Sequence, residues 1–220
     1  MVYAGNSRRS MKSKFPLLAL ESLKFNQEAI CKYRLLLAIP RIQPKYHLAP
    51  DARSAAVLLP LCVVGGKPSV LFTVRSSQLN SHAGEVSFPG GMTDDTDASD
   101  VETALRETME EIGISSNNIE ILGKLAHLPN VHQSVKVQPI VGFLGDIDPT
   151  TVWFNTDEVS RVFTVSIADL LIPPPVFHSF RGGAIKIPSW NIGSERIWGL
   201  TAYVLWDFLQ GALFKAHRGI

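Results

Sequence analysis

The sequence predicts an α/β protein in which a mixed β-sheet is packed between α-helices, an α/β/α sandwich. Apolar, β-branched segments typical of strands lie on both sides of one helical segment, and an amphipathic helical segment follows near the end of the chain. Strands and helices in this order favour a sheet covered by helices. The 220 residues, 45% of them hydrophobic, suffice for one domain with a sizeable core.

The main domain is predicted to span residues 53–214 and to begin with a β-hairpin. Its two strand segments, SAAVLLPLCVV and SVLFTVR, are separated by the turn-forming sequence GGKP. Four more strand segments follow in the order EVSF, EILGKLAHL, VKVQPIVGFL and EVSRVFTVSI. The last helix is predicted within RIWGLTAYVLWDFLQGAL, and residues 215–220 form a C-terminal tail.

Two segments precede this domain. Residues 26–52 are predicted to form a short helix, with Asn26 as its N-cap, and a proline-rich linker. Residues 1–25 form a basic leader with no acidic residue before Glu21, a composition typical of a mitochondrial transit peptide. A plain basic tail on a cytoplasmic protein is the alternative. The chain ends in KAHRGI, which lacks a peroxisomal tripeptide.

Charge and composition exclude several classes of function. Residues 1–50 carry nine Lys or Arg against two Glu, whereas residues 51–220 carry twelve against eighteen Asp or Glu. An acidic body argues against nucleic acid as a partner and favours a small-molecule substrate. No apolar run reaches the ~20 residues that span a bilayer. Two cysteines, Cys31 and Cys62, are too few for a disulfide framework and suit a reducing intracellular compartment. The oligomeric state cannot be predicted.

The strongest helix prediction covers residues 100–112. Ser99 and Glu102 are spaced as a capping box, and Gly113 follows as the C-terminal cap. An apolar stripe runs along this helix, and three glutamates lie beside it: Glu107, Glu110 and Glu111. Carboxylates one turn apart repel each other, so a cation between them is expected. Oxygen ligands of this kind suit Mg²⁺ or Mn²⁺; an acidic surface exposed to solvent is the alternative.

The segment GMTDDTDASDVETALRETMEEIGI resembles the box of the Nudix family, G-x5-E-x7-R-E-U-x-E-E-x-G-U with U aliphatic. The matching residues are Gly91, Arg106, Glu107, Glu110, Glu111, Gly113 and Ile114. The sequence departs from the pattern at Asp97, which replaces the first glutamate, at Thr108, which replaces an aliphatic residue, and by one extra residue before Arg106. The resemblance implies a Nudix fold and hydrolysis of a nucleoside diphosphate linked to another group.

The resemblance also implies roles for the residues of the box. Glu107 and Glu111 are the principal metal ligands, and Glu110 is either a third ligand or the group that accepts a proton from water. Arg106 holds a box carboxylate in place, although a simple i,i+4 ion pair is the alternative. Asp97 can offer an oxygen atom, from a shorter side chain than glutamate.

The substrate is indicated by residues 71–91, LFTVRSSQLNSHAGEVSFPGG, which resemble the signature of the coenzyme A pyrophosphatase branch. The matching residues are Leu71, Thr73, Arg75, Ser76, Gly84, Phe88, Pro89, Gly90 and Gly91. Asn80 replaces the second arginine of that signature. The segment RIWGLTA also resembles this branch.

A coenzyme A site needs at least one fixed cation, and Arg75 is the candidate, expected to contact the 3′-phosphate of the substrate. A solvated charge at the end of a strand is the alternative. His82, Gly84, Gly90 and Gly91 are candidates for substrate binding, although turn formation also explains the glycines. The segment FHSFRGG is expected to be a loop, either over the pantetheine arm or simply on the surface.

Three functions stay open at this stage. The first is a metal-dependent diphosphatase that cleaves coenzyme A into 3′,5′-ADP and 4′-phosphopantetheine, with acyl-CoA as a possible second substrate. The second is a Nudix hydrolase for ADP-ribose or NADH, which the loss of arginine at Asn80 keeps open. The third is a catalytically silent Nudix domain that binds a ligand, which the intact glutamates of the box argue against.

Overall fold

The computed structural model describes residues 24–39, 48–79, 81–180 and 185–217. Residues 1–23 of the predicted leader lie outside the described residues, as do Asn80 and the tip of the segment FHSFRGG. Of the predicted tail, residues 215–217 are described.

The described elements follow the predicted order of strands and helices. They are α1 (Gln27–Ala38), β1 (Arg53–Val64), β2 (Lys67–Arg75), β3 (Val86–Ser87), β4 (Gly90–Met92), α2 (Asp100–Ile112), β5 (Glu120–Lys124), β6 (Leu128–Pro129), β7 (Val135–Asp146), β8 (Val159–Ser166), α3 (Ile167–Leu171), β9 (Val176–Phe180), β10 (Ile185–Ile192), β11 (Glu195–Ile197), α4 (Gly199–Phe208) and α5 (Phe214–His217). A 3₁₀ turn, Ser116–Asn118, precedes β5, and a π-helical segment, Leu209–Leu213, joins α4 to α5.

The central sheet has eight strands and is mixed. Its main order is β3-β2-β1-β7-β5, with β4 paired to β1, β6 to β7 and β8 to β2. The long strands β1 and β7 are parallel, and the other pairs are antiparallel. Because β1 pairs with β2 through its second half and with β4 through its first half, β4 lies at the middle of the sheet beside β1.

The predicted hairpin forms between β1 and β2, with a tighter turn than the sequence suggests. Val64 is paired with Lys67, so only Gly65 and Gly66 lie between the strands. Both glycines have positive φ, 55° and 76°. Two successive left-handed residues make the turn whose twist matches that of the strands.

Helices cover both faces of the sheet, which confirms the predicted sandwich. On one face, Ala104 of α2 packs in a cluster with Ala56, Leu58 and Ile140 of the sheet. On the other face, a larger cluster joins sheet residues such as Phe72 to α4 and to α1. The sheet is therefore buried on both sides, as the continuous apolar runs of its long strands predict.

Helix α1 packs into the same core as the main domain. The side chain of Asn26 accepts a hydrogen bond from the Ala29 N–H at 2.9 Å, which confirms the predicted N-cap. Ile30 and Tyr33 are 1% and 0% exposed, and the Tyr33 ring lies 6.0 Å from that of Phe208 in α4. Phe25, just before the cap, is buried as well. The packed unit therefore begins no later than Phe25, well before residue 53.

A second sheet of three strands, β9, β10 and β11, was not predicted. The segment FHSFRGG was expected to be a loop, but residues 177–180 belong to β9, which pairs antiparallel with β10. Phe177 packs against Trp206 of α4, with 5.2 Å between ring centroids. This contact is made across the chain, so no local pattern around the prolines 173–175 could reveal it.

The structure also describes the two cysteines and the length of the apolar helices. Cys31 is exposed and Cys62 is buried, and neither is in a disulfide. Within the described ranges, no helix is long and apolar enough to cross a bilayer.

Candidate active site

Helix α2 carries the predicted carboxylates, and its bounds match the prediction. The Ser99 hydroxyl accepts a hydrogen bond from the Glu102 N–H at 3.2 Å. The Glu102 carboxylate reaches back one residue further than in a standard capping box and accepts from the Ala98 N–H at 2.7 Å. Gly113 ends the helix with a φ of 68° and donates its N–H to the Met109 carbonyl at 3.0 Å.

The glutamates of α2 face the glycine pair of β4. Glu111 is only 3% exposed, and its carboxylate accepts a hydrogen bond from the Gly90 N–H at 3.3 Å. Glu107, one turn earlier, lies against Gly91, and its side chain is 15% exposed. Glu110 points further outward, with 51% of its side chain exposed. The three glutamates therefore differ sharply in burial, although they are close together in sequence.

Both glycines are required by close packing. A Cβ atom at Gly91 would lie less than 3.0 Å from the carboxylate of Glu107. At Gly90, where φ is 148°, a Cβ would meet the backbone of Ala56 and Val57 on β1 at a similarly forbidden distance. These glycines were predicted to contact substrate. In the structure they make room for the Glu107 carboxylate and for the pairing of β4 with β1.

Burial raises the pKa of both inner glutamates. The pKa of Glu111 rises from its ordinary value of 4.5 to about 8, first because the carboxylate is buried, while the positive charge of Arg75 opposes the rise. The pKa of Glu107 is raised by burial too, although its hydrogen bond from Arg106 opposes the shift. Two buried carboxylates with raised pKa values form a site that a cation would stabilise.

Arg106 binds four acidic or carbonyl groups around this site. It donates from Nη1 to Glu107 and to Glu110, at 3.0 and 3.1 Å. Its Nε and Nη2 atoms both donate to the carboxylate of Asp97 at 3.0 Å, and Nη2 also reaches the Met92 carbonyl at 3.0 Å. Arg106 therefore holds the Glu107 carboxylate, as the resemblance implies, and also makes the i,i+4 pair with Glu110.

Asp97 is the anchor of Arg106. Its side chain is 3% exposed, and the hydrogen bonds from Arg106 hold the pKa of its carboxyl well below the usual range. Both of its oxygen atoms are engaged by the guanidinium. In the structure Asp97 holds the arginine that holds Glu107, and a metal contact of Asp97 stays a prediction.

Arg75, at the end of β2, lies beside the buried glutamate. Its Nη1 atom is 3.9 Å from Glu111 Oε1, too long for a hydrogen bond, and 28% of its side chain is exposed. Its Nε atom is buried and has no hydrogen-bond partner among the residues that the structure describes. Arg75, the predicted cation, therefore lies beside the carboxylate of Glu111. Its buried Nε–H is not used by any residue that the structure describes.

His82 and Gly84 shape the loop between β2 and β3. His82 has a φ of 56°, and its ring contacts the Glu85 carboxylate at 3.0 Å with 70% of the side chain exposed. Gly84 has a φ of 73° and donates its N–H to the Arg75 carbonyl at 3.1 Å. The loop thus closes back on Arg75. Asn80, the departure from the signature, lies outside the described residues.

The donor set fits Mg²⁺ or Mn²⁺ bound by few protein ligands. Glu107 and Glu111 supply hard oxygen atoms, which such ions prefer, and both are more buried than Glu110. Arg106 donates to one oxygen of Glu107 and to one of Glu110, whereas it engages both oxygens of Asp97. In the described part of the chain, no three His, Cys, Asp or Glu side chains converge as a ready-made metal cage. This arrangement suits an ion that keeps water and substrate phosphates among its ligands.

Glu158 is a residue of the site that sequence reasoning missed. Its neighbour Val159 pairs with Arg75, which lies beside Glu111, and the negative charge of Glu158 is a minor cause of the raised pKa of Glu107 and Glu111. It lies just before β8, and its carbonyl accepts a hydrogen bond from the Ser76 N–H at 2.8 Å. It is 47 positions after Glu111, in no motif, so only the pairing of β8 with β2 brings it there.

Comparisons with known proteins find a family model and several relatives that match this chain. The NUDIX domain family model matches residues 52–185, more than half of the chain. Mitochondrial coenzyme A diphosphatase NUDT8 from Homo sapiens is 42% identical over 162 residues, covering 71% of this chain and 68% of that protein. The Mus musculus protein of the same name is 36% identical, covering 84% and 87%. An uncharacterized Nudix hydrolase, NudL, from Photorhabdus laumondii is 37% identical, covering 80% and 93%.

Proposed function

Because the chain belongs to the Nudix hydrolase family, we propose that it hydrolyses the diphosphate bond of coenzyme A, yielding 3′,5′-ADP and 4′-phosphopantetheine. The observation that carries the proposal is the position of Arg75. This residue of the coenzyme A signature lies beside Glu111 of the Nudix box, with donors that no described residue uses. The names of the human and mouse relatives support the same substrate.

In this proposal Arg75 binds the diphosphate of the substrate. Its guanidinium lies 3.9 Å from Glu111, one of the two residues that would hold the metal ion, which supports a contact with the same diphosphate. Its free donors suit phosphate oxygens, which guanidinium groups bind in a forked geometry. The sequence favoured the 3′-phosphate as its partner, but that group is separated from the diphosphate by a ribose. The position beside Glu111 favours the diphosphate instead.

Glu107 and Glu111 hold the metal ion in this proposal. A bound Mg²⁺ or Mn²⁺ would neutralise charge on the diphosphate and lower the pKa of a water ligand. Arg106 keeps Glu107 in one orientation through its hydrogen bond, and Gly90 orients Glu111 through its N–H. Both carboxylates are thus fixed before substrate arrives, which lowers the cost of organising the site during the reaction.

Two carboxylates are candidates to accept the proton of the attacking water. Glu110 is half exposed but accepts a hydrogen bond from Arg106, with which it forms an ion pair. Glu158 is not ion-paired to any residue that the structure describes, and its charge acts on both metal-binding glutamates. We therefore assign proton acceptance to Glu158. The expected result is a large fall of kcat in Glu158→Gln, whereas Glu110→Gln, the matched control, should keep most of the turnover.

A substrate panel tests the proposed function directly. Purified protein is assayed with coenzyme A, acyl-CoA, ADP-ribose and NADH, each with Mg²⁺ and with Mn²⁺. The proposal expects the highest kcat/KM for coenzyme A or its acyl derivatives, with release of 3′,5′-ADP. A higher kcat/KM for ADP-ribose or NADH would overturn the proposal and favour a Nudix hydrolase for that substrate. Binding of coenzyme A without turnover under any metal condition would favour a silent domain.

We propose mitochondria as the location of the protein. The basic composition of residues 1–25 and the names of the mammalian relatives support this, whereas the bacterial relative shows that such chains also work outside organelles. A reporter fused to residues 1–40 should enter mitochondria, and neutral residues at Arg8 and Arg9 should reduce import. A diffuse cytosolic signal would instead favour the basic tail.

A further inference from the structure

We propose that Arg196 and Trp198 form a second binding surface, which takes the adenosine 3′-phosphate end of the substrate. Arg196 lies on β11, and Trp198 precedes the first residue of α4. The guanidinium carbon of Arg196 lies 5.6 Å from the centroid of the Trp198 ring, in cation–π contact. The inference rests on the proposed function, because the ligand is the nucleotide half of coenzyme A.

The ion pairs of the residues that the structure describes do not account for the position of Arg196 beside Trp198. Arg196 is exposed and forms no ion pair with any residue that the structure describes, although the domain is rich in carboxylates. Trp198 is 45% exposed, whereas Ile197 between the two is fully buried. Alternation along the strand thus fixes Ile197 in the core and places Arg196 and Trp198 together on the outer side.

Arg161, a neighbouring arginine, differs from Arg196 because it is paired with a carboxylate. Arg161 of β8 also stacks on an aromatic ring, with 5.4 Å to the centroid of Phe163. Its guanidinium, however, is paired with the carboxylate of Glu195, the residue next to Arg196. Arg161 therefore ties β8 to β11, which holds the strand in place. The donors of Arg196 stay available for a ligand.

The chemistry of the pair suits a purine nucleotide with a phosphate on its ribose. An indole face stacks on any base, and a guanidinium binds a phosphate dianion through charge-assisted hydrogen bonds. With the guanidinium already held against one side of the indole, little side-chain freedom is lost on binding. Adenosine with a 3′-phosphate presents a flat base and a dianion close together, as this surface requires.

The surface is connected to the candidate active site through β3. The Thr201 hydroxyl, in the first turn of α4, donates to the Val86 carbonyl at 3.1 Å. Val86 lies four residues before Gly90, whose N–H binds Glu111, and four residues extend at most ~14 Å. The two places therefore lie on connected segments, and the proposal puts the diphosphate at Glu111 and the nucleotide end of the same molecule at the start of α4. Arg75 and Arg196 would then bind different phosphates of one substrate.

Kinetics with two substrates test whether Arg196 binds the 3′-phosphate of coenzyme A. The kcat/KM values for coenzyme A and for dephospho-CoA are compared in the wild type and in Arg196→Ala, with Arg34→Ala, a change of an exposed arginine on α1, as the control. The wild type should prefer coenzyme A, and Arg196→Ala should reduce the preference about tenfold, equivalent to ~1.4 kcal/mol. The kcat/KM for dephospho-CoA should fall much less in Arg196→Ala than that for coenzyme A. Arg34→Ala should keep the wild-type preference.

Binding of the product provides a readout without catalysis. In titrations without metal, 3′,5′-ADP should bind the wild type more tightly than 5′-AMP does, and Arg196→Ala should bind the two equally. Trp198→Ala should weaken both nucleotides to a similar extent, because it removes stacking and leaves the cation. Arg196→Lys should restore part of the preference for 3′,5′-ADP.

Two experimental outcomes distinguish a failure of this inference from a failure of the proposed function. If the wild type cleaves coenzyme A but Arg196→Ala keeps the full preference over dephospho-CoA, the surface is not the 3′-phosphate site and the inference is overturned alone. If the wild type does not cleave coenzyme A and binds 3′,5′-ADP no better than 5′-AMP, both are overturned.

Discussion

Both carboxylate oxygens of Asp97 accept hydrogen bonds from Arg106, one from Nε and one from Nη2, each at 3.0 Å. Aspartate is one methylene shorter than the glutamate of the Nudix pattern, and the chain has one extra residue between the two positions. The longer connection brings the shorter side chain to the guanidinium. The two departures from the pattern therefore compensate each other, and Arg106 is still free to hold Glu107.

This relationship predicts the effect of Asp97→Asn. Without the carboxylate, Arg106 loses its anchor and Glu107 loses its fixed orientation, so the Mg²⁺ concentration for half-maximal activity should rise about 10–100-fold, as is typical for groups that orient metal ligands. Asp94→Asn is the control, because Asp94 is 3.7 Å from Arg106 and mostly exposed. Equal metal dependence in the two variants would contradict this role of Asp97.

The metal ligands are tested by Glu107→Gln and Glu111→Gln. Each change keeps the shape of the side chain and removes its charge, so kcat should fall at least about a hundredfold, a loss of ~2.7 kcal/mol or more. Circular dichroism should show an intact fold. Glu120→Gln, at the ion pair with Arg34, should keep wild-type turnover. Near-normal turnover in either box variant would remove that residue from the metal site.

The packing of Gly91 against Glu107 is tested by a double-mutant cycle. The Cβ of Gly91→Ala would fall less than 3.0 Å from the Glu107 carboxylate, so this carboxylate must move and activity should fall strongly. If the effect acts through Glu107, Gly91→Ala should cost little more in a Glu107→Ala background, where the obstructing group is absent. Additive losses in kcat/KM would show that Gly91 acts through another group.

The buried Glu111 predicts a pH dependence of stability without metal. Its folded-state pKa is raised to about 8, so the folded protein binds more protons than the unfolded chain between about pH 4.5 and 8. The free energy of unfolding in EDTA should therefore fall as the pH rises through this window, by roughly 5 kcal/mol at most at ~1.4 kcal/mol per unit. Chemical denaturation at several pH values measures it.

Glu111→Gln provides the control for this pH dependence. The amide cannot ionise, so the decline assigned to Glu111 should disappear, and the variant should be more stable than the wild type at pH 8 in EDTA. Addition of Mg²⁺ should stabilise the wild type more than the variant. Identical pH profiles for the two proteins would mean that ionisation of Glu111 does not lower the free energy of unfolding.

Helix α1 predicts the limit of tolerated N-terminal truncation. Removal of residues 1–23 leaves Phe25 and the helix in place, and this protein provides the reference melting temperature. Removal of residues 1–39 exposes the core that Ile30 and Tyr33 cover, and burial of each such side chain contributes about 1.5–3 kcal/mol. The shorter protein should melt at a much lower temperature. Equal melting temperatures would show that α1 contributes nothing to the core.

The sequence by itself determined the elements whose signals are local. Helix α2 begins at the Ser99 cap and ends at Gly113 because caps and periodicity act within a few residues. The hairpin at Gly65 and Gly66 and the Nudix box were recognised for the same reason. Strand β9 and its sheet were missed, because short strands are stabilised by partners distant in sequence and carry little pattern of their own.

Only the tertiary structure decided how deeply each site residue is buried. The sequence pattern set Glu107 and Glu111 apart from Glu110, and packing against β4 leaves these two less exposed than Glu110. The position of Arg75 beside Glu111 and the approach of Glu158 depend on the register of β2 with β8. These properties come from burial and charge between segments that meet only when the sheet forms, so no spacing along the chain encodes them.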